Sequence, residues 1–256
     1  MSLMMRDSLA RDEAQWQARV DLAAAHRLAA MENFNEGIFN HLTCRVPGKA
    51  DRYYQMPFGL HWSEVTASCF MEVGYDGTLL SGEGEIEQSC FLIHAPLHRL
   101  APHAAAVLHT HMPFASALTR LEKPEFLPIG QMELFVSNLT AYDYNYDGPA
   151  FHQSEGERLA AVLGDKKILM LSNHGVVTAA PTVAEAYDLL YYVEKVAQVQ
   201  IYAMWTGKPL KMLPPDIIKA STSKLGSRVY GGKKHAIWHF EALKRILDRK
   251  EPDYKH

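Results

Sequence analysis

Residues 168–187 read ILMLSNHGVVTAAPTVAEAY. Ile168–Leu171 is a four-residue apolar run, the pattern of a buried strand, and Ser172-Asn173-His174-Gly175 supplies the polar, glycine-ended signature of a tight turn. Val176-Val177-Thr178 then reads as a return strand. Pro181 and Thr182 follow, with Glu185 three residues beyond Thr182, which is the spacing of a helix capping box. The helix this predicts runs to about Thr206, where Gly207 terminates it and Pro209 prevents its continuation. Val183, Ala186, Tyr187, Leu190, Val193, Ala197 and Ile201 give it an apolar face that can lie on a sheet.

Working outward, a first helix is expected from about Ser8 to Met31, with Leu9, Trp16, Val20, Leu22, Ala23, Leu28 and Ala29 on its apolar stripe. The opening Met1-Ser2-Leu3 is set aside as an added remnant. Short strands are expected at His41–Val46, Tyr53–Met56 and Cys69–Val73, broken by Pro-Gly, Phe-Gly and Tyr-Asp-Gly turns. A second helix should span about Glu87 to Leu100, stopping before Pro102 because the residue ahead of a proline leaves the helical region. Ala105–His111 suits a strand, and a last amphipathic helix is expected over about His235–Leu247. Helices interleaved with short, hairpin-joined strands predict an α/β fold layered α-β-α around a sheet with much antiparallel pairing. No dinucleotide or P-loop glycine motif follows any strand.

The 256 residues hold 26 basic and 29 acidic side chains, a formal charge of −3, which offers nucleic acid no electrostatic footprint. No apolar stretch approaches the ~18 residues of a membrane span, and the charged N-terminus lacks a signal-peptide core. Cys44, Cys69 and Cys90 are too few and scattered for a disulfide framework, so reduced thiols in a cytoplasmic protein are expected.

The unusual count is 13 histidines. His109 and His111 stand at i and i+2, so on a strand both rings leave the same face and can approach one point. His174 ends another apolar strand, beside a glycine. Three neutral imidazoles at ~2.0–2.1 Å from a divalent ion, with a fourth position open, form a common catalytic metal arrangement. Zinc suits such a set best, while Mn2+, Fe2+ and Co2+ stay open.

AVLHTHMPFASAL (106–118) and LMLSNHGVVTAAPTVAEAYDLLYYVEKVAQVQI (169–201) resemble the two signature blocks of the class II aldolase/adducin family. HLTCRVPG (41–48) and MPFGLHWSEVTASCFMEV (56–73) resemble its adducin-like branch. The resemblance implies a three-layer αβα sandwich with a largely antiparallel sheet. It also implies one domain over 1–256, with a core of about 15–215 and a helical extension of about 216–256. His109, His111 and His174 would be the metal ligands. A homotetramer with sites near subunit contacts is implied too.

The sequence departs from the family's sugar-phosphate aldolases where a glutamate, ligand and proton carrier, lies 19 residues before the first histidine of the pair. Cys90 occupies that position here, preceded by Gln88-Ser89. Glu85 and Glu87 are close in sequence, but on a helix a shift of three residues turns a side chain some 60° and moves it most of a turn along the axis. The family's Gly-Asn phosphate pair becomes Asn40-His41, and its Thr-Gly becomes Phe58-Gly59, so the small-molecule substrate is expected to be unphosphorylated. Cys90, His94 and His98 share one helix face. That face either packs on the sheet and bonds to loops, or belongs to the metal pocket, with Cys90 as a fourth ligand or Cys90 and His94 supporting the ligands. His41, Gly59, His61 and Ser89 are candidate substrate contacts, and Glu133 aligns loosely with the family's catalytic tyrosine as a candidate proton donor. Tyr142, Tyr144 and Tyr146 alternate and would share one face of an extended segment. His26, His103, His152, His235, His239 and His256 are assigned to structure or solvent. The expected activity is that of a metal-dependent carbon–carbon lyase, aldolase-like or decarboxylase-like, on a hydroxy/keto or carboxylate substrate. The alternative is a non-catalytic, adducin-like binding or assembly protein.

Overall fold

A computed structural model describes residues 3–222 and 229–256, with side chains from 12 to 221 and from 229 onward. Met1 and Ser2 lie outside the described residues, as does the side chain of Leu9. The chain opens with α1 (Leu3–Met31), β1 (His41–Arg45), β2 (Arg52–Gln55), β3 (Met71–Gly74) and β4 (Leu79–Ser81). There follow α2 (Gln88–Leu100), β5 (Ala106–Thr110), α3 (Pro113–Leu118), α4 (Gln131–Ser137) and β6 (Thr140–Asp143). Next come α5 (Gln153–Leu163), β7 (Ile168–Leu171), β8 (Val176–Ala180) and α6 (Val183–Trp205). The chain closes with α7 (Pro215–Thr222), the short ribbon β9 (Val229–Tyr230) and β10 (Lys233–Lys234), and α8 (His235–Lys250).

Eight strands form one sheet in the order β4-β3-β2-β1-β5-β8-β7-β6. Every pair is antiparallel except β6 with β7, so the sheet is mixed and mostly antiparallel. The strands expected from the sequence form, but Cys69 belongs to a short 3-10 turn (Ala67–Cys69) and not to β3.

Strand alternation sorts the side chains. Leu42, Cys44, Ala106, Leu108, Ile168, Met170, Val176 and Ala180 join a large core with α1, α6 and α8. Val107, Leu169, Leu171, Val177 and Ala179 join a second core with Ile93 and Leu97 of α2 and Leu159 and Leu163 of α5. By the same period, His41, Thr43 and His109 belong to the α2 face. α5 approaches α2 closely: a Cβ on Gly156 would lie 2.8 Å from the Pro96 ring. It would also press on the Leu92 carbonyl, which Pro96, lacking an N–H, does not engage in the helix.

The cap expected at α6 forms, with the Glu185 N–H donating to Thr182 Oγ1 at 3.1 Å. The Glu185 carboxylate does not turn back on the cap; it accepts from Lys234 Nζ at 2.5 Å. α8 is docked rather than loose. Asp188 of α6, 1% exposed, accepts from His235 Nε2 at 2.9 Å and from His239 Nδ1 at 2.7 Å. Phe240, Leu247 and Tyr254 enter the large core, and Arg27 of α1 pairs with Glu251 and Asp253.

Candidate metal centre

β5 ends at Thr110, paired with Val176 at the start of β8, so the residue after β5 and the turn before β8 meet at one sheet end. That register brings His109, His111 and His174 together. Their ring centroids are 5.0 Å apart for His109–His111, 4.8 Å for His109–His174 and 4.9 Å for His111–His174. One nitrogen from each lies within 4.8 Å of the others. The turn that delivers His174 is tight. Asn173 adopts a left-handed conformation (φ 59°), and a Cβ on Gly175 would stand 2.6 Å from His111 Cδ2 and 2.6 Å from the Thr110 carbonyl. Glycine here is a packing requirement.

Hydrogen bonds set the tautomers. His109 Nδ1 is 3.0 Å from the Val176 carbonyl, which only accepts, so Nδ1 carries the hydrogen and Nε2 keeps its lone pair. His111 Nδ1 is 2.5 Å from Glu36 Oε2, and its Nε2 is buried with no hydrogen-bond partner. Burial holds the rings neutral. It lowers His109 strongly, helped by His174 and His111, and it brings His174 down to about 4, helped by repulsion from His111. Burial also lowers His111, against the pull of Glu36. Neutral rings with free, converging nitrogens, two of them steadied at Nδ1, are what a divalent ion binds.

Beside this trio lies a second group. His41 faces His109 across the β1–β5 register, their rings 5.3 Å apart. His41 Nδ1 is 3.3 Å from His94 Nε2 of α2, while its Nε2 is 3.1 Å from Ser89 Oγ and 3.2 Å from Glu87 Oε2. Cys90 and His94 are fully buried, and one ligand atom from each of His41, Cys90 and His94 lies within 4.8 Å of the others. On the α2 face Cys90 packs in a small core with Tyr53, Met71 and Val73, while His94 reaches His41 and Thr43 of β1. At His98 that face serves the sheet: His98 Nδ1 bonds the Ala104 carbonyl at 2.7 Å.

Helical rotation does not apply to Glu87. Glu87 is the N-cap of α2, with extended backbone, and its carboxylate folds over the first turn to accept from the Cys90 N–H at 2.6 Å and from Ser89 Oγ at 2.8 Å. Burial opposes its ionisation, but bonds from His41, the Cys90 N–H and Ser89 outweigh it and bring the carboxyl down to about 2. A carboxylate thus stands against the position that Cys90 occupies. N-caps favour Asn, Asp, Ser and Thr rather than glutamate, so no cap preference marks this residue in the sequence.

Other residues add to the rim. Arg120, exposed, donates to the His174 carbonyl at 2.7 Å, placing a cation beside the trio. Tyr146 holds its ring 6.1 Å from His174. The tyrosines do not share one face, since β6 ends at Asp143; Tyr142 and Tyr144 stack on each other, and only Tyr146 turns to the histidine. His61 caps a 3-10 turn, its Nδ1 bonded to Ser63 and its Nε2 3.2 Å from Asn35 Nδ2. Gly59 adopts φ 101° beside Phe58, whose exposed ring lies 6.2 Å from that of Phe39. Glu133 is buried at the start of α4, folded back over Gly130, and lines a groove of about 440 Å³ with Tyr192, Lys195 and Val199. None of the three trio histidines lines that groove.

Comparison with known proteins agrees with this geometry. Residues 20–201 match the family model described as "Class II Aldolase and Adducin N-terminal domain". A Caulobacter vibrioides protein named "Putative aldolase class 2 protein" is 34% identical over 94% of this chain and 93% of its own. Rat alpha-adducin is 31% identical over 94% of this chain, which spans 34% of that protein. Among solved structures, an aldolase II superfamily protein from Pseudomonas syringae aligns with TM-score 0.88 and 34% identity, covering 95% of this chain and 96% of the other. The L-fuculose 1-phosphate aldolase of Glaciozyma antarctica PI12 shares the fold, with TM-score 0.82 and 23% identity over 96% and 94%. The chain is a member of the class II aldolase and adducin family.

Proposed function

We propose that this protein is a metal-dependent carbon–carbon lyase acting on a small, unphosphorylated hydroxy/keto or carboxylate substrate. The observation that carries the reading is the set of three buried-edge imidazoles whose nitrogens converge, one of them an orphaned buried polar atom. His109, His111 and His174 would hold the ion, zinc by donor preference. When bound, a divalent ion supplies Lewis-acid stabilisation of negative charge developing next to a chelating carbonyl or hydroxyl.

The chain's own groups do the rest. Arg120 offers its charge to a substrate carboxylate at the rim, and Phe39 with Phe58 presents apolar surface where a phosphate donor would otherwise stand. A retro-aldol cleavage needs a base for the hydroxyl proton, and Glu87, ionised and brought down to about 2, is too weak for that role; it orients His41 instead. Decarboxylation needs no such base, only later protonation, for which Tyr146 lies beside His174. Cys90 and His94 act from beneath, through His41. Gly59 and His61 border the substrate space. Glu133, remote in its groove, would serve as proton donor across a subunit contact.

That last role fits a homotetramer with shared sites, which the exposed Val199, Tyr202 and Trp205 on α6 favour. Cores on both faces of the sheet support the three-layer αβα description, and the docked α8 supports one domain over 1–256. Three free cysteines favour a reducing, cytoplasmic setting. No described helix is long and apolar enough to cross a membrane.

The test is a screen of unphosphorylated hydroxy-keto acids and aromatic carboxylates with zinc or manganese, comparing the protein with His109→Ala. Product formed by the protein and abolished by the substitution is expected; product that survives it overturns the mechanism. The adducin alignment favours a second reading, a non-catalytic binding or assembly protein, and substoichiometric metal in the purified protein would point there.

A further inference from the structure

The hydrogens available under α2 do not match the contacts made there. The Ala104 carbonyl accepts from His98 Nδ1, so that nitrogen carries a hydrogen, and burial lowers His98 to about 3, leaving its Nε2 bare. Thr43 Oγ1, 2.8 Å from His98 Nε2 and 3.3 Å from the Val107 carbonyl, has one hydrogen for these two acceptors. Thr43 Oγ1 is also 2.7 Å from His94 Nδ1, which must therefore be the donor, so His94 presents a bare Nε2. At the other end, Ser89 Oγ has given its hydrogen to Glu87, and the Glu87 carboxylate only accepts. His41 Nε2, facing both, must carry a hydrogen, and in the neutral tautomer this leaves His41 Nδ1 bare.

In that state two lone pairs face each other at 3.3 Å, in a buried setting, with one ligand atom each of His41, His94 and Cys90 within 4.8 Å of the others. Two bare nitrogens at that distance repel unless something positive stands between them. Two nitrogens bound to one tetrahedral zinc at ~2.05 Å stand about 3.3 Å apart.

We propose that His41 Nδ1, His94 Nε2 and Cys90 Sγ form a second cation site, distinct from the His109–His111–His174 centre, that takes a thiophilic divalent ion of the zinc class. The donor set is two imidazoles and one thiolate, which favours zinc or cobalt over magnesium or calcium. Binding forms one metal–sulfur and two metal–nitrogen bonds. The thiol proton leaves to solvent, together with any proton bridging the imidazoles. The resulting ion carries one net positive charge within its ligands, and Glu87 stands against His41 to meet it. Cys44 is separate, on the opposite face of the sheet.

The experiment loads chelator-stripped protein with Co2+ and follows both ions bound per chain and the near-ultraviolet thiolate-to-cobalt charge-transfer band. Two ions per chain and a strong band are expected, with proton release on loading. Cys90→Ser should lose the band and one ion but keep the other; His94→Gln, a second variant should Cys90→Ser not fold, should weaken the band. His109→Ala should keep the band. One ion per chain without a thiolate band overturns the second site and leaves the first standing. One ion with a band that Cys90→Ser abolishes supports the second site and unseats the first. A band that survives Cys90→Ser also overturns the proposal.

Discussion

Glu36 Oε2 stands 2.5 Å from His111 Nδ1, and the opposite nitrogen of the same ring is a buried atom with no hydrogen-bond partner. The carboxylate orients the imidazole and raises its basicity. Glu36→Gln should therefore weaken metal affinity by roughly 10- to 100-fold while leaving the fold intact. A competition titration against a chelator measures it, and unchanged affinity would show that Glu36 is only a surface neighbour.

Gly175 predicts a different failure. Its missing Cβ leaves room for the His111 ring and the Thr110 carbonyl. Gly175→Ala should cost about 1–3 kcal/mol by overpacking and push His111 out of line. Thermal unfolding and metal content should fall together. Full occupancy in a destabilised variant would refute the coupling between turn and site.

Acid sensitivity should come partly from a histidine outside both clusters. His26 is fully buried between Trp62 and Phe70, and burial lowers it to about 4, opposed by its bond to the Leu22 carbonyl. The unfolded chain protonates a histidine near pH 6.5, about 1.4 kcal/mol being lost per pH unit below that for each such group. Between pH 6.5 and about 4, falling pH adds this proton to the unfolded state alone, so stability declines across that window and is fully present above it. His26→Met should flatten the decline. Urea unfolding at pH 7, 6 and 5 reads it, and an identical slope in the variant would count against the assignment.

Asp188 holds α8 through two histidines. Asp188→Ala removes both bonds and should lower stability by about 1–3 kcal/mol, hydrogen bonds to charged groups being among the stronger ones. Hydrogen exchange should quicken selectively in α8. Uniform exchange would mean that the apolar contacts of Phe240 and Leu247 and the ion pair of Lys244 with Asp21 secure the helix without Asp188.

Six of the eight sheet strands and the long helices are legible in the sequence because apolar period and caps coincide there, as at Ile168–Leu171 and at Thr182 ahead of α6; β4 and β6 are not. The trio is legible because its members lie at strand ends. α3 and α4 escape such a reading, since segments so short carry little periodic signal, whereas α5 is missed although Gly156, Leu159, Ala160 and Leu163 stand at helical spacing on its buried face. Glu87 defeats an argument from helical rotation because its backbone is extended and belongs to the cap. Glu36 and Arg120 leave no local mark at all. Their roles come from tertiary proximity to His111 and His174, which spacing along a chain does not encode.

The sorting of alternate residues to opposite faces has a consequence for how such a centre endures. His41 and His109 are locked in register with Leu42 and Leu108, whose side chains are sealed beneath the other side of the sheet. A slip by one residue would carry the imidazoles out of the pocket only by thrusting leucines into it, so oil guards the alignment of the polar groups. Mutational drift can then reshape the rim, and with it the choice of ligand, while the placement of these two rings is policed by residues that never touch a substrate.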